Sequence, residues 1–116
     1  MVADDIITEV TEPDWVNTIV CNVKEIPDGK KKVRLCLDPK DQNRNISREH
    51  YCTRTIDEIL PLLHNKNYFS VVDTLKGYWH VELDHESSLL CTSSTPFGRF
   101  RFKRLPFGVI VSQDIF

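Results

Sequence analysis

The sequence lacks the features of several large protein classes. Its 116 residues contain no apolar run close to the roughly 18 residues that a membrane span needs. The acidic start, residues 1–5, has neither the basic region nor the apolar run of a secretory signal, and no repeat or low-complexity tract is visible. We therefore expect one intracellular globular unit with no membrane partner.

Cysteine spacing typical of a metal site is also absent. The four cysteines form no Cys-x-x-Cys pair, so a zinc site would need ligands from distant segments. His50 and Cys52 are close enough in sequence to share a metal, but two candidates without further ligands are usually ordinary loop residues. Free thiols are the expectation for an intracellular protein.

Charge is unevenly distributed along the chain, although the net value is only −2. Residues 1–14 carry acidic side chains without lysine or arginine, residues 24–54 carry more bases than acids, and a second basic cluster lies at 99–104. Clustered bases can neutralise phosphates and release counterions. Two solvated strand faces would give the same pattern, so charge alone does not decide between these interpretations.

Residues 18–37 predict a β-hairpin with a turn at 27–30. Residues rich in β-branching come first, Pro, Asp and Gly supply the turn, and apolar residues then alternate with polar ones. A lysine-rich tip on such a two-stranded arm is suited to reaching a phosphate chain. The tip lysines are Lys30, Lys31 and Lys32.

The middle of the chain predicts less regular structure. Residues 38–51 are polar and predict an irregular segment. Apolar residues at helical spacing over 56–63, with acids in the first turn, predict a short amphipathic helix that ends near residues 64–67.

Asp73 follows a short, nearly all-apolar run, residues 68–72, which predicts a strand buried on both faces. A carboxylate at the end of such a strand is costly unless it is paired, hydrogen-bonded or bound to a metal. Asp73 is therefore a candidate metal ligand. A cap for a helical turn beginning at 74–77 fits the local pattern equally well.

Two further strands are predicted over 89–95 and 99–105, and a helix is predicted to begin at residue 111. In the second strand Phe100 and Phe102 alternate with basic residues. Such alternation can stack bases while holding phosphates, although a half-buried edge strand is the commoner explanation. The helix stops where the sequence stops, so we expect a longer reading frame.

A series of short blocks extends along nearly the whole chain: residues 14–17 (DWVN), 33–41 (VRLCLDPKD), 48–51 (REHY), 68–73 (YFSVVD) with 77–79 (GYW), 95–100 (TPFGRF), and 105–109 (LPFGV) with 112–116 (SQDIF). Each block is weak evidence alone. In this order and spacing the set resembles the reverse transcriptases of gypsy-type LTR retrotransposons, as an N-terminal fragment of that domain of the Pol polyprotein.

The resemblance implies an α+β fold, namely a partial right-hand polymerase fold of antiparallel strands with short helices. It implies fingers over approximately residues 1–66, the start of the palm over 67–105, and the start of a fingers or palm helix over 106–116. A protein of this kind would be located in the cytoplasm, a virus-like particle or the nucleus.

The implied activity of the complete enzyme is RNA-directed DNA polymerisation. Such a nucleotidyltransferase adds dNTPs to a primer 3′-hydroxyl by two-metal phosphoryl transfer, with Mg²⁺ or Mn²⁺ as cofactor. The implied partners are an RNA or DNA template with its primer, dNTPs, and the remainder of the Pol polyprotein.

The resemblance also assigns roles to residues on either side of the predicted buried strand. Asp73 matches the first of three palm carboxylates that hold the metal ions, and the Thr74 carbonyl would help to hold the nucleotide-bound ion. Lys76 and Gly77 would offer backbone N–H groups to the triphosphate. Tyr78 matches the aromatic gate whose ring clashes with a ribose 2′-hydroxyl.

Further implied contacts come from the arm and from the C-terminal third. Arg34 matches the fingers arginine that pairs with the triphosphate, and Lys32 is the preferred tip lysine for a second phosphate contact. Phe107 and Gly108 match the segment that lines the nucleotide pocket. Nucleic-acid contacts are expected at Lys30, Lys31, Arg99 and Arg101.

Three departures from the family pattern are visible. The Tyr-x-Asp-Asp segment that supplies the other two carboxylates does not occur, so we expect this chain alone to be inactive and to bind no metal tightly. Cys52 stands where relatives commonly have Pro, and Ser93-Ser94 where they have Phe-Asn; a buried hydroxyl at that site would cost about 1–3 kcal/mol. Two interpretations remain as alternatives to a polymerase fragment. One is a non-catalytic relic or co-opted nucleic-acid-binding fragment, and the other is a small structural domain.

Overall fold

The computed structural model describes residues 1–48 and 51–116, which form two antiparallel sheets and several short helices. The elements are β1 (Ile7–Glu9), β2 (Thr18–Glu25), β3 (Lys31–Asp38), α1 (Lys40–Asn45), α2 (Ile56–Leu63), a 3₁₀ turn (Gly77–His80), α3 (His85–Leu90), β4 (Thr92–Thr95), β5 (Gly98–Phe102) and α4 (Ser112–Ile115). None of the helices in the described ranges is long and apolar enough to cross a membrane.

Strands β2 and β3 form the predicted hairpin, called the arm below. They pair antiparallel from Thr18 opposite Asp38 to Glu25 opposite Lys31. The turn is closed by the Ile26 N–H donating to the Lys30 carbonyl at 2.9 Å, and Gly29 supplies its left-handed position with φ of +71°. The hairpin prediction is confirmed. Most of the arm is exposed, and its side chains become buried only near the base.

The second sheet has three strands in the order β1-β5-β4. Its central strand β5 places Phe102, 1% exposed, in a small core with Ile6, Leu37 and Cys91. Burial raises the pKa of the Cys91 thiol to about 11. Because Phe102 is enclosed, it cannot stack on a base. The half-buried strand is therefore the correct interpretation of the alternating pattern at that residue.

Asn17 joins the base of the arm to the three-stranded sheet. Its side-chain amide donates to the carbonyls of Leu90 at 2.7 Å and Thr92 at 3.1 Å, while its Oδ1 accepts from the Trp15 indole N–H at 3.1 Å. The Asn17 backbone N–H also donates to the Thr92 carbonyl at 2.8 Å. The buried amide is thus satisfied on both its donor and acceptor sides.

A backbone contact fixes the segment after β5 against the arm. The Leu37 N–H donates to the Phe107 carbonyl at 2.7 Å, and the next residue, Gly108, has φ of +110°. A Cβ added at Gly108 would overlap the Leu37 carbonyl oxygen. On the other side, the Asn43 amide donates to the Gly108 carbonyl at 3.0 Å and accepts from the Ile110 N–H at 2.9 Å. Only glycine allows this close approach.

Some of the predicted segments differ in part from the structure. Residues 38–51 are not wholly irregular, because Lys40–Asn45 forms α1. Residues 89 and 90 are helical, not extended. Asp84 starts α3 by accepting the Ser87 N–H at 2.8 Å, and this bond lowers the pKa of the Asp84 carboxyl. This N-cap stabilises helix α3, which includes residues 89 and 90 where a strand was predicted.

The hydroxyl of Ser93 does not carry the cost that we expected for it. Ser93 is fully buried, but its Oγ donates to the Phe100 carbonyl at 3.2 Å across the β4–β5 pair. A buried hydroxyl that keeps a partner avoids the cost of an unsatisfied polar group. The substitution is therefore accommodated by the sheet.

The predicted buried strand over 68–73 is wrong. This segment forms no strand, and Tyr68, Val71 and Val72 are 94%, 97% and 89% exposed. A strand requires a hydrogen-bonding neighbour, and none of the strands in the described part of the chain pairs with it.

The helix predicted over 56–63 is confirmed as α2, with the Thr55 N–H donating to Glu58 at 2.9 Å, although its apolar face is likewise exposed.

Replacing the central core aromatic tests whether the three-stranded sheet is the stable part. Phe102→Ala should lower the free energy of unfolding by about 3–5 kcal/mol, because it removes a fully buried ring. Phe97→Ala, at the 89% exposed ring of the β4–β5 turn, is the matched control and should change it by under about 0.5 kcal/mol. Urea denaturation followed by circular dichroism measures both. Similar losses in the two variants would contradict this core.

Two glycines with positive φ differ in their surroundings and give a paired test of the Leu37–Gly108 contact. Gly29→Ala should cost about 1–2 kcal/mol from backbone strain alone, because open space surrounds that site. Gly108→Ala should lose about 1–3 kcal/mol more, because the new methyl group overlaps the Leu37 carbonyl. The midpoints of urea unfolding report the difference. Equal destabilisation would mean that the close approach is absent in solution.

Candidate functional site

A cleft of about 670 Å³ opens between the arm, residues 72–79 and the C-terminal segment. It brings together most of the residues that the family resemblance had assigned to the nucleotide. The predicted residues that line it are Lys32, Arg34, Asp73, Thr74, Lys76, Gly77, Tyr78 and Phe107. Five other predicted contacts do not line it, namely Lys30, Lys31, Arg99, Arg101 and Gly108.

Arg34 projects from β3 across the cleft. Its guanidinium carbon lies 5.2 Å from the centroid of the Phe107 ring, within cation–π range. None of the carboxylates in the described ranges forms an ion pair with it. The Phe107 ring contacts one face of the Arg34 guanidinium, so the N–H donors at the edge of the guanidinium remain available. These donors have the planar geometry that pairs with carboxylate or phosphate oxygens.

Tyr78 is held by two ring contacts and one hydrogen bond. Its ring centroid lies 4.6 Å from that of Phe107 at an interplanar angle of 38°, and 5.4 Å from that of Phe116 at 66°. Its hydroxyl donates to Gln113 Oε1 at 2.7 Å. The ring is therefore fixed in position and in tilt. Sequence reasoning missed Gln113, because one polar residue in a short helix carries no distinguishing pattern.

The backbone turn before Tyr78 is shaped by two unusual positions. Lys76 is left-handed with φ of +56°, and its carbonyl accepts from the Trp79 N–H at 2.9 Å. Its ammonium group lies 5.1 Å from the centroid of a Trp79 ring. A Cβ at Gly77 would come within 2.5 Å of Phe116 Cζ, so glycine allows Phe116 to cover this turn.

Asp73 lies in the cleft beside Thr74, in an exposed segment without regular secondary structure. It does not cap the following turn, because Lys76 precedes that turn and no side-chain cap bond is formed there. The capping interpretation of Asp73 is therefore wrong. Within the described ranges no group of three or more His, Cys, Asp or Glu side chains could hold a metal. One carboxylate in the cleft does not fit a two-metal site.

The other predicted contacts are distributed over the surface. Lys30 and Lys31 lie at the exposed tip of the arm, and Arg99 is exposed on β5. Arg101 is partly buried outside the cleft. The suggested metal pair of His50 and Cys52 includes a position outside the described residues, and Cys52 itself is exposed.

No protein-family model matches the chain. The chain is 37% identical over 87 residues, or 75% of its length, to a retrovirus-related Pol polyprotein from transposon 412 of Drosophila melanogaster. It is 35% identical over 98 residues, or 84% of its length, to the enzymatic polyprotein of Figwort mosaic virus. It spans only 7% and 14% of these two relatives.

The fold is similar to part of the protease-reverse transcriptase of prototype foamy virus, with a TM-score of 0.78 over 99% of this chain and 15% of that one, at 22% identity. This similarity confirms the predicted partial polymerase fold. The relatives include retrotransposon and plant-virus polyproteins, so a gypsy-type origin stays a prediction. The chain therefore belongs to the retroelement Pol and enzymatic polyproteins, as a homologue of one segment of them, and has the fold of part of a retroviral reverse transcriptase.

Proposed function

We propose that the chain is the fingers and early-palm segment of a retroelement RNA-directed DNA polymerase, and that its cleft binds an incoming deoxynucleotide. The convergence of Arg34, Tyr78 and Phe107 beside Asp73 carries this proposal. These residues come from three distant parts of the chain, and each has a chemical property that a nucleotide site uses. The fingers would extend over approximately 1–66, with the palm beginning at 67 and a further helix within 106–116.

Phosphate recognition would come from Arg34, with Lys32 at the rim and the backbone N–H groups of Lys76 and Gly77. The free edge of the Arg34 guanidinium supports this role, because it can donate two parallel hydrogen bonds to phosphate oxygens. The Lys76 ammonium is directed to the Trp79 ring, so the phosphate contact of Lys76 would come from its backbone N–H group.

Sugar recognition would come from Tyr78. A ring fixed by Phe107, Phe116 and Gln113 cannot yield to an extra hydroxyl, so a ribonucleotide would be disfavoured by a clash. Gly108 would act indirectly, because the Leu37–Gly108 contact positions Phe107.

In the complete polymerase, Asp73 and the Thr74 carbonyl would contribute to holding Mg²⁺ or Mn²⁺. Such ions stabilise the charge that develops during phosphoryl transfer. A single carboxylate does not meet that need. We expect these 116 residues alone to bind metal weakly and not to extend a primer.

A second candidate is a non-catalytic nucleic-acid-binding role. The exposed, lysine-rich tip of the arm supports it, since Lys30, Lys31 and Lys32 form no ion pair with any carboxylate in the described ranges. The two candidates differ in where the ligand binds. A primer–template duplex that perturbs the tip, with no nucleotide perturbing the cleft, would favour the second.

Titration with dATP and Mg²⁺, followed by amide chemical shifts of the labelled chain, tests the nucleotide site. We expect shifts at Arg34, Lys76, Gly77 and Tyr78. Arg34→Gln should weaken binding about tenfold, because it removes a charge-assisted pair. Arg44→Gln is the matched control: this exposed arginine pairs with Asp41 at 3.4 Å, outside the cleft, and its loss should change affinity less than twofold. Equal losses, or no cleft shifts at millimolar dATP, would overturn the proposal.

The hydrogen bond from Tyr78 to Gln113 gives a sharper prediction about the sugar. Gln113→Ala should lower the preference for dATP over ATP severalfold, because the ring loses its fixed position. Gln113→Glu keeps an acceptor for the Tyr78 hydroxyl, so it should retain the preference even if its charge weakens both affinities. The measured quantity is the ratio of the two dissociation constants. An unchanged ratio in Gln113→Ala would exclude a positioning role for this residue.

A further inference from the structure

A second polar cavity, of about 390 Å³, lies between α3, β5 and the N-terminal loop. It shares no lining residue with the cleft. We call it the polar cavity. Its ionisable lining residues are Asp5, Glu82, His85, Arg101, Lys103 and Arg104.

Two of the three cations in the polar cavity are already paired. Lys103 Nζ lies 2.6 Å from Asp5 Oδ1, and Arg104 Nη1 lies 2.8 Å from Glu82 Oε1. The hydrogen bond from Lys103 lowers the pKa of Asp5. Both lining carboxylates are therefore engaged. The third cation, Arg101, has no carboxylate partner in the described part of the chain, so its positive charge is in excess.

Arg101 is held instead by two side-chain acceptors, neither of which is a carboxylate. Its Nη1 lies 3.3 Å from His85 Nδ1 and 3.1 Å from Ser88 Oγ. Because a guanidinium can only donate, Nδ1 of His85 is the acceptor in this contact. The Ser88 hydroxyl donates to the Phe102 carbonyl at 2.6 Å and so keeps its lone pairs for Arg101.

These contacts leave a defined set of donors. Nη1 uses both its hydrogens on His85 and Ser88, whereas Nη2 and Nε of Arg101 have no acceptor in the described ranges. That edge of the guanidinium is the one that pairs with two oxygens of a planar or tetrahedral anion. Its orientation is fixed before a ligand arrives, which lowers the entropy cost of binding.

We propose that the polar cavity is a phosphate-binding site in which Arg101 pairs with two phosphate oxygens. Lys103 and Arg104 add positive potential at its edge, while their paired carboxylates, Asp5 and Glu82, leave a net charge of about +1, which one phosphodiester would neutralise. The phosphate group belongs to a nucleic-acid backbone or to a free phosphate. This site does not depend on the proposed nucleotide cleft, so either can fail alone.

The neighbouring Arg99 provides the contrast. Arg99 and Arg101 lie two residues apart on β5 and therefore on the same side of the strand. Arg99 is exposed and does not line the polar cavity, whereas Arg101 is partly buried within it. Arg99 and Arg101 thus carry the same charge on the same face of β5 but have different surroundings.

The test titrates the labelled full chain with two probes at constant ionic strength. One is inorganic phosphate, and the other is a short oligothymidylate without terminal phosphates. We expect amide shifts at His85, Ser88 and Arg101 with at least one probe. Arg101→Gln should weaken that binding about tenfold and Arg99→Gln less than twofold. Arg101→Lys keeps the charge but loses the planar fork, so it should bind more weakly than the native chain and more tightly than Arg101→Gln.

Each outcome has a defined meaning. Shifts at these residues with phosphate alone assign a free phosphate as the ligand, and shifts with the oligonucleotide assign a backbone phosphodiester. Equal weakening by Arg99→Gln and Arg101→Gln would mean unspecific attraction and would overturn the site, as would the absence of shifts with both probes. An unchanged dispersion of the amide spectrum in Arg101→Lys shows that any loss of binding is not a loss of folding.

Discussion

The backbone contact between Leu37 and the Phe107–Gly108 segment holds the candidate cleft together. The arm carries Arg34, and the segment after β5 carries Phe107, so the two side chains meet only if their backbones do. The hydrogen bond from the Leu37 N–H and the absence of a Cβ at Gly108 permit that approach. The cation–π contact between Arg34 and Phe107 follows from it, as does the surface on which Tyr78 rests. One glycine thus determines the geometry of three candidate nucleotide contacts.

Local sequence patterns predict the parts of this fold that are stabilised by interactions between residues close together in the sequence. The arm was predictable because its turn residues and its alternation act within a few positions, and α2 because its capping residues and period are contiguous. The segment over 68–73 failed for the opposite reason. Its apolar composition predicts burial, but burial of a strand needs a neighbour that local sequence does not specify. The helix α1 was missed because its residues are polar throughout and give no periodic signal.

The candidate site likewise contains some residues that the sequence predicts and others that it does not. Spacing alone could not bring Arg34 to Phe107, which lie far apart along the chain, so the family order of motifs supplied that expectation and the contact of 5.2 Å agrees with it. The supporting residues Gln113 and Asn43 were not predicted, because an amide in a short helix has no sequence signature. Their roles depend on which backbone and side-chain groups come within hydrogen-bonding distance. Motifs therefore identified most of the residues that line the cleft, and the structure added those that hold them in place.

The two β5 arginines show where family order stops being informative. By sequence Arg99 and Arg101 are equivalent, since both are basic and both lie on one face of the same strand. Helix α3 packs against β5, and its cap at Asp84 sets where His85 and Ser88 lie. Those two side chains accept from Arg101 and fix its free edge, while Arg99 remains in solvent. A charged side chain becomes a candidate binding group when hydrogen-bond acceptors other than carboxylates orient it and no carboxylate neutralises it. Among the basic residues of β5, Arg101 meets both conditions.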